Sequence, residues 1–579
     1  MAADLSNSEL ADALDELGDL NELDGAIVHR VVAYRTAAKT IRESPRPVAP
    51  LVRAGTVTEL PGIGRTLEEK LSALLETGTI PAAEKLRAKY PPGVVAMTRL
   101  PGLGPKRARR LYDELGIDSL EALRQAAQAE RIRGLSGFGP KAEASILAAL
   151  DAGAGEAPRA RVTLPVAVET GEEILRGLLA VAQVRRVELA GSARRGADSV
   201  KDLDVVVASE DPAAVVAAFR ALDVIAESDH GGEAGARGRA QNGVGIDLRI
   251  VPPACFGNLL QHFTGSKAHN VHLREMAVRR GLHVSEHGIL DDATGETLRC
   301  ATEEEVYARL GLPYIEPELR EDRGELDPGF EPPDLVSVAD LRGDLHCHTV
   351  ASDGRNTIEE MALAARERGL EYLAITDHSA SHGFGDDVPP DALRRHAEAV
   401  RELDARLEDI RLLAGSEVNI LPDGDLDYAD EALAALDWVI ASVHTAFRMD
   451  AERMTARIVR AVEHPLVDAL GHPTGRLIGR RAGYAVDVGA VIDAAARTGT
   501  MLEINSAPDR RDLDDIHARA AAAAGVRLLI DSDAHRTATL ANTRWGVLTA
   551  RRAWLSAGDV ANTLPWERFA PLRKRARVA

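Results

Sequence analysis

The sequence predicts a multidomain fold, with helical domains at the N-terminus, an α+β domain in the middle and a parallel α/β barrel at the C-terminus. Residues 1–155 consist of helical segments separated by short breaks. Residues 160–255 contain short β-branched, apolar runs such as DLDVVVAS and GIDLRIVPP, which are typical of strands. From residue 341 onward, strand-like runs such as WVIASVH and MLEINS alternate with alanine-rich helical segments, and this alternation predicts a parallel barrel.

Length, cysteine content and charge limit the class of protein. The 579 residues suffice for about three to five domains of ~100–200 residues each. Three cysteines, Cys255, Cys300 and Cys347, are too few and too scattered for a disulfide framework, which indicates a reducing cytoplasm. The acidic N-terminus is unlike a signal peptide, and no apolar run reaches the ~18 residues of a membrane span. The net charge of −20 argues mildly against nucleic acid, although local basic patches matter more than the sum.

One short pattern occurs three times in the helical region, as LPGIG (60–64), LPGLG (100–104) and LSGFG (135–139). Its glycines permit a tight turn, and the helix that follows adds free backbone N–H groups, so each unit can hold a phosphate without reading a base. One such turn could be an ordinary helix connection, but three in the same frame favour DNA binding. They resemble helix-hairpin-helix motifs. The candidate DNA-binding residues are Gly62, Gly64, Gly102, Gly104, Lys106, Gly137, Gly139 and Lys141.

Three carboxylates mark the middle region. Asp202 and Asp204 alternate with apolar residues at the start of one predicted strand, and Asp247 lies in another, GVGIDLRIVPP. Carboxylates on neighbouring strands need cations between them, and Mg²⁺ prefers such oxygen ligands while leaving room for substrate phosphates. A D-x-D pair alone is more often a surface turn. The preceding GSARRG and the later aspartate favour a nucleotidyltransferase that works by two-metal phosphoryl transfer.

The order GSARRG…DLD…ID resembles the palm signature of the family X DNA polymerases, and FGNLLQHFTGSKAHNVHLRE (256–275) resembles their thumb entry. The resemblance covers roughly residues 1–320. It implies a palm with a thumb, Mg²⁺ or Mn²⁺ as cofactor, and gapped or primer-template DNA and dNTPs as partners. It also implies that Asp202 and Asp204 bind both ions, and that Asp247 binds the catalytic ion and accepts the proton of the 3′-hydroxyl. The other implied contacts are Ser192 and Arg195 to the triphosphate, Phe263 and Gly265 to the sugar, Asn270 to the base and Arg274 to the template side.

The chain departs from the family pattern at three positions. His262 replaces a tyrosine of animal members, Lys201 replaces a glycine before the first aspartate, and Gly245 replaces a basic residue before Asp247. None of the three is a metal ligand, so we expect polymerisation to persist. Lys70 aligns with the family's Schiff-base lysine for removal of 5′-deoxyribose phosphate. A solvated helix lysine that contacts phosphate is an equally good interpretation of Lys70.

Histidines are concentrated in the C-terminal region, with ten of the 17 beyond residue 341. Many follow strand-like runs directly, and the C-terminal ends of parallel barrel strands converge on one mouth. Histidine and carboxylate without thiolate suit Zn, Mn or Fe, and more than six ligands require two or three ions. Such a site acidifies water and clamps a phosphate ester. The residues that end such strand-like runs are His378, Glu417, His444, His472 and His535.

This region, about residues 341–570, resembles the PHP (polymerase and histidinol phosphatase) family. It contains the family's motifs in the family's order: HCH with Asp353, then TDH, SE, SVH, GHP and SDAH. The resemblance implies that the metal ligands are His346, His348, Asp353, His378, Glu417, His444, His472, Asp533 and His535. No ligand position is substituted. Arg476 and Arg480, shortly after His472, are candidates for holding a product phosphate, although a solvated basic pair explains them equally well.

The two resemblances together imply a bacterial family X DNA polymerase with a C-terminal PHP domain. The predicted domains are a lyase-like helical domain (1–88), helix-hairpin-helix fingers (89–157), palm (158–254), thumb (255–318), linker (319–340) and PHP domain (341–579). We expect a cytoplasmic, nucleoid-associated monomer that fills gaps in DNA, trims 3′ ends as an exonuclease or phosphatase, and cleaves apurinic sites. Two alternatives stay open: a PHP domain that hydrolyses a small phosphate ester such as histidinol phosphate, or a DNA end-binding scaffold with weak catalysis.

Overall fold

The computed structural model describes residues 5–574 and 576, except for 99, 101, 152–160, 233, 384 and 385. The chain divides into two compact units. The first contains Met1–Val162, Val166–Leu189 and Lys201–Pro253, and the second contains Thr163–Pro165, Ala190–Val200 and Ala254–Ala579. No helix within the described ranges is long and apolar enough to cross a bilayer.

The N-terminal part of the first unit is helical, as the sequence predicts. Leucines and alanines on one face of each helix form two apolar clusters, one around Leu14 and Leu71 and the other around Leu111 and Phe138. The helices are α1 (Asn7–Leu23), α2 (Val28–Glu43), α3 (Ala49–Ala54), α4 (Arg65–Thr77), α5 (Pro81–Arg87), α6 (Pro92–Met97), α7 (Pro105–Leu115), α8 (Leu120–Gln128) and α9 (Pro140–Asp151).

A mixed five-stranded sheet follows in the first unit, and its strands in spatial order are β2 (Arg186–Leu189), β4 (Asp202–Ala208), β7 (Gly245–Val251), β6 (Gly235–Ala240) and β5 (Ile225–Ser228). Strand β4 pairs parallel to β7, and the other neighbouring pairs in the sheet are antiparallel. The elements from residue 162 to 251 are β1 (Val162–Thr163), α10 (Leu164–Leu179), β2 (Arg186–Leu189), α11 (Gly191–Arg194), β3 (Ser199–Val200), β4 (Asp202–Ala208), α12 (Pro212–Arg220), β5 (Ile225–Ser228), β6 (Gly235–Ala240) and β7 (Gly245–Val251).

The second unit begins its longest continuous stretch with a small α+β region. It consists of α13 (Phe256–Thr264), α14 (Lys267–Val278), β8 (Leu282–Ser285), β9 (Gly288–Asp291), β10 (Thr297–Leu298) and α15 (Glu303–Arg309). The proline- and acid-rich segment that follows is packed rather than extended through solvent. Leu319 and Arg320 are fully buried, and Glu325 is 1% exposed, because its carboxylate bonds His269 and two backbone N–H groups.

The C-terminal region is a barrel of seven parallel strands in sequential order, which confirms the predicted fold. The strands WVIAS and MLEIN are buried at every residue, as expected where helices cover the outside. The elements are β11 (Gly343–Asp344), α16 (Ile358–Glu367), β12 (Tyr372–Ile375), α17 (Pro390–Asp404), β13 (Arg411–Asn419), α18 (Asp430–Ala434), β14 (Trp438–Ser442), α19 (Ala451–Glu463), β15 (Ala469–Leu470), α20 (Val488–Thr498), β16 (Met501–Asn505), α21 (Asp515–Ala523), β17 (Leu528–Asp531), α22 (Thr543–Arg552) and α23 (Trp566–Phe569).

The first and last barrel strands approach each other just beyond their C-terminal ends. A parallel bridge joins Cys347 and Ala534, and the His348 N–H donates to the Ala534 carbonyl at 2.8 Å. The barrel is therefore nearly closed, and the residues that follow β11 and β17 lie side by side at its mouth.

Candidate active sites

The three carboxylates predicted in the middle region lie on adjacent parallel strands of the first unit. Asp204 on β4 is in register with Asp247 on β7, and Asp202 precedes Asp204 by two residues on the same face. The intervening Leu203 is fully buried, so the alternation fixes all three carboxylates on the opposite, half-buried face. The register thus brings together three oxygen donors of the kind that hold Mg²⁺ or Mn²⁺.

Two of the departures from the family pattern lie beside these carboxylates. Gly245 is the register partner of Asp202, so no side chain from β7 occupies that position, and Lys201 is exposed. Arg249, on the same strand as Asp247, places its Nε 2.8 Å from Asp247 Oδ1 and its Nη2 2.9 Å from Oδ2. This arginine is a charge partner that the sequence analysis did not identify, although its i+2 spacing on a strand is the signal that could have revealed it.

The GSARRGAD segment belongs to the second unit, and residues 190–198 are here called the phosphate loop. Gly191 (φ 62°) and Gly196 (φ 68°) adopt left-handed conformations that shape it. Arg195 donates from Nε to Glu321 at 3.0 Å and from Nη1 to the Thr264 carbonyl at 2.6 Å. Ser192 is half-buried in the short helix α11.

Arg194, the other arginine of the loop, points into a buried ion-pair network. Its guanidinium donates to Thr264 at 2.7 Å and to Glu303 at 2.6 Å, and Arg320 also donates to Glu303 at 2.5 Å. Burial alone would raise the pKa of Glu303, but Arg320 and Arg194 hold that pKa below its usual value. Both arginines of the loop are therefore hydrogen-bonded within the second unit, Arg194 to Glu303 and Arg195 to Glu321.

The predicted sugar and base contacts lie together at the junction of α13 and α14. Phe263 is half-buried, and Gly265 (φ 69°) comes close to Arg195, because a Cβ at this position would meet its Nη1 at 3.3 Å. The Asn270 amide donates to the His262 carbonyl at 2.7 Å and accepts from Gln261 at 2.9 Å. Arg274 is exposed. Asn270 therefore lies against α13 in this structure.

The three hairpins share one conformation. In each, the first glycine has a positive φ, as at Gly62 (80°), Gly102 (79°) and Gly137 (82°), and the second glycine immediately precedes a helix. The residue between the glycines is buried and both glycines are exposed. Three exposed helix N-termini thus offer backbone N–H groups. The carbonyls of Gly64, Gly104 and Gly139 accept the first hydrogen bonds of these helices, and Lys106 and Lys141 are exposed.

Lys70 lies on α4, one residue after Glu69 and two after Glu68, and is half-buried. It lies in the second turn of the helix that follows the first hairpin. No general acid or base at hydrogen-bond distance from Lys70 is found in the described part of the chain, so its lyase role stays a prediction.

All nine candidate ligands of the C-terminal region converge at the barrel mouth, around Glu417 at the end of β13. The carboxylate of Glu417 is 1% exposed and contacts imidazoles through both oxygens. Its Oε1 lies 2.9 Å from His472 Nε2 and 3.1 Å from His444 Nε2. Its Oε2 lies 2.9 Å from His378 Nδ1, 3.4 Å from His346 Nε2 and 3.6 Å from His348 Nε2.

Two further carboxylates complete this cluster. Asp533, after β17, lies 3.2 Å from His348 Nε2, and Asp353 lies 3.2 Å from His535 Nε2 and 3.6 Å from His378 Nε2. The ligand atoms fall into three groups, and within each group they lie within 4.8 Å of one another. Each group is compact enough to hold one metal ion. The groups are His346, His348 and Asp533; His378, Glu417 and His444; and His348, Asp353, His378 and His535.

The donor set fits metal ions. Nε2 of His346 and both ring nitrogens of His348 are buried and make no hydrogen bond of ordinary geometry to any described residue. Burial and the neighbouring His535 and His378 lower the pKa of His348 to about 4, so its imidazole is neutral and available as a ligand. Burial alone would raise the pKa of Glu417, but the surrounding imidazoles hold that pKa well below its usual range. Metal binds ionised carboxylates and neutral imidazoles. The neighbouring carboxylates raise the pKa of His346, His378 and His535 against the effect of burial, so these three imidazoles must release a proton when a metal ion binds.

Sequence reasoning missed the residues that hold the ligands in place. Glu503 on β16 accepts from His346 Nδ1 at 2.6 Å and from the His472 backbone N–H at 2.5 Å. With Nδ1 bonded to Glu503, His346 turns Nε2 toward the cluster. Asn505 donates to Asp533 at 3.1 Å. The strand alternation of MLEINS, which places Glu503 and Asn505 on one face, was the available signal.

An arginine also lies at the cluster, but it is neither of the two suggested by the sequence. Arg510 Nε is 3.6 Å from Asp533 Oδ2, and its side chain is 21% exposed. Arg476 instead donates to the carbonyls of Arg510 and Arg511, and Arg480 is exposed with its Nη1 3.9 Å from Asp509. Arg510 is therefore the arginine that lies beside the predicted ligands, whereas Arg476 bonds backbone carbonyls.

Family models match four parts of the chain: a helix-hairpin-helix domain at residues 5–80, a SAM-like helix-hairpin-helix tandem at 94–152, the DNA polymerase beta thumb at 259–321 and the PHP domain at 344–507. The chain is 37% identical over 553 residues to the DNA polymerase/3'-5' exonuclease PolX of Bacillus subtilis (strain 168), covering 95% of this chain and 96% of that protein. It is 31% identical over 231 residues to a probable phosphatase of Thermoanaerobacter sp. (strain X514), covering 38% of this chain and 89% of that protein.

Proposed function

The chain belongs to the bacterial family X DNA polymerases that carry a C-terminal PHP domain, and we propose that it fills short gaps in DNA and removes nucleotides from DNA 3′ ends. One observation carries this proposal: a single chain holds two separate acid-rich centres, the register-matched aspartates of β4 and β7 and the imidazole–carboxylate cluster of the barrel. Three exposed hairpins in the same chain offer a sequence-independent grip on DNA backbone.

For polymerisation, Asp202, Asp204 and Asp247 would hold two Mg²⁺ or Mn²⁺ ions. When bound, such ions stabilise the charge that develops on the phosphates of the incoming nucleotide. Asp247 accepts the proton of the primer 3′-hydroxyl, and Ser192 and Arg195 orient the triphosphate. Arg249 balances the charge of Asp247 in the absence of ions, since both of its donors lie within 3 Å of that carboxylate.

For 3′-end hydrolysis, the nine barrel ligands would hold two or three Zn²⁺, Mn²⁺ or Fe ions. When bound, these ions polarise a phosphate ester and acidify water. Arg510 contacts the phosphate, Glu503 and Asn505 keep His346 and Asp533 in their ligand orientations, and the surrounding barrel wall limits bulk water. Removal of a 3′-phosphate and cleavage at apurinic sites would use the same residues.

A small-molecule phosphatase is the competing proposal for the barrel. It draws on the probable phosphatases, which match 38% and 33% of the chain. The hairpins count against it as the whole function, because a small phosphate ester needs no DNA contact.

The experiment uses a gapped duplex with a 5′-labelled primer and Mn²⁺. We expect extension with dNTPs and shortening without them. Asp202→Ala with Asp204→Ala should abolish extension alone, and His346→Ala with His348→Ala should abolish shortening alone. Shortening at the wild-type rate by the histidine variant would remove the nuclease assignment. Faster hydrolysis of histidinol phosphate than of any DNA end would favour the phosphatase.

The cytoplasmic, nucleoid-associated location and the monomeric state stay predictions.

A further inference from the structure

We propose that Arg511, a barrel residue, is a positioning residue for polymerisation, because it fixes the phosphate loop in which Ser192 and Arg195 lie. The inference rests on the proposed function, since it takes the loop to bind the triphosphate. It assigns the barrel a part in nucleotide binding that is separate from its own metal cluster.

Arg511 is fully buried, and two of its three guanidinium nitrogens face the loop. Nη2 donates to the Gly196 carbonyl at 2.9 Å, Nη1 lies 3.3 Å from Asp198 Oδ1, and Nε donates to Thr549 on α22 at 2.9 Å. Burial lowers the pKa of Arg511 to about 10, and Asp198 acts in the opposite direction. A buried cation with a single carboxylate partner that belongs to the loop is costly for stability alone, which favours a role in holding that loop.

Other barrel residues hold the same loop. The second oxygen of Asp198 lies 2.8 Å from Arg476 Nη1. Arg552 Nη1 donates at 2.8 Å both to the Arg195 carbonyl and to Glu321, which in turn accepts from Arg195 Nε. Barrel side chains therefore fix the backbone of Arg195 directly and its guanidinium through Glu321.

The consequence concerns binding more than chemistry. A loop that is already ordered loses little entropy when it binds a triphosphate. If the barrel contacts are removed and the loop becomes mobile, polymerisation requires a higher dNTP concentration. The residue before Arg511 lies beside the barrel's ligand cluster, since Arg510 Nε is 3.6 Å from Asp533. Among the described residues, Arg511 forms no hydrogen bond or ion pair with any of the nine ligands, so its substitution leaves the ligand set intact.

The test uses the full-length chain in four forms besides wild type: Arg511→Met, Asp198→Asn, the double variant and Arg551→Met. Arg551 is the matched control, because it is the neighbour of Arg552 on α22 and pairs with Glu318 at 2.6 Å instead of with the loop. Single-nucleotide gap filling is measured against dNTP concentration to give KM and kcat, with primer shortening and the thermal unfolding midpoint recorded for each protein.

Loss of a hydrogen bond to a charged group predicts a rise in dNTP KM of about tenfold or more for each single variant, with a smaller change in kcat. The rise in KM for the double variant should be smaller than the product of the two single rises, because both changes remove the Arg511–Asp198 contact, although each also removes a contact of its own. The control should keep the wild-type KM, and shortening should persist in all four variants.

The Asp198 side chain is 32% exposed, and asparagine has nearly the same size, so Asp198→Asn creates no cavity. This variant therefore tests the inference even if Arg511→Met unfolds the barrel. An unchanged KM in a folded Asp198→Asn protein would overturn the inference and leave the polymerase assignment standing. Multiplicative KM effects in the double variant would also overturn it. A wild-type chain that extends no primer would overturn both proposals together.

Discussion

Substitution of Glu503 by glutamine should impair the barrel centre selectively. The two oxygens of Glu503 receive three buried donors: His346 Nδ1 at 2.6 Å, the His472 backbone N–H at 2.5 Å and Asn505 Nδ2 at 3.2 Å. A glutamine offers one acceptor oxygen and one NH₂ group, so it leaves at least one donor facing another donor. An unsatisfied buried polar group costs about 1–3 kcal/mol.

The effect on function has a comparable size. Loss of the carboxylate behind a metal-ligating histidine lowers metal affinity or activity by about 10- to 100-fold, which corresponds to about 1.4–2.8 kcal/mol. We expect the Mn²⁺ concentration for half-maximal primer shortening to rise by this factor in Glu503→Gln. Extension by the palm should be unchanged, because its carboxylates belong to the other unit.

The assay titrates Mn²⁺ against the shortening of a 5′-labelled primer, and equilibrium dialysis gives metal content directly. Glu371→Gln is the control, since that carboxylate pairs with Arg342 on the surface, where ion pairs contribute about 0–1 kcal/mol. A Glu503→Gln protein that binds Mn²⁺ and shortens primers as wild type does would refute the role given to Glu503.

Three further outcomes are expected. Gly102→Ala should lower the unfolding free energy by about 1–2 kcal/mol and weaken duplex binding, because φ is 79° at Gly102. Gly104→Ala should leave stability unchanged, because φ is −65° at Gly104. Equal melting midpoints for the two variants would contradict this prediction. Chelation with EDTA should lower the unfolding midpoint of the barrel. The loss corresponds to about 2.7 kcal/mol when the free ion concentration is 100 times Kd. Calorimetry should show this shift in the wild type and not in the variant that lacks His346 and His348. Glu303→Gln should cost about 3–5 kcal/mol near neutral pH through its partners Arg320 and Arg194. Because the folded pKa of Glu303 lies below 4.5, its contribution is present above pH 4.5 and lost as pH falls through the folded pKa, so a difference in melting temperature that stays constant down to low pH would contradict the ion-pair role.

The sequence determined much of the architecture by local patterning. Strand runs of β-branched residues predicted β4, β7 and the barrel strands, and the similarity to a PolX of Bacillus subtilis over 95% of the chain confirms the family that GSARRG, DLD and HCH indicated. The repeated L-x-G-x-G frame predicted three equivalent turns, because a tight turn of this kind needs a glycine with positive φ. Strand-end positions indicated five of the nine barrel ligands, because parallel barrel strands end at one mouth, and the resemblance to the PHP family supplied the complete set.

The tertiary structure decided which groups each of these residues contacts. Nothing in the spacing indicates that Glu503 supports His346, since 157 residues separate them and only the closed barrel brings them to 2.6 Å. The acidic segment after α15 lacks periodicity and was expected to be a linker, yet its charges pair with residues far away in the chain, and Arg320 becomes fully buried. The same holds for Arg511 and Asp198: local sequence fixes hydrogen bonds within helices and strands, whereas the pairing of two distant charges depends on how whole elements pack.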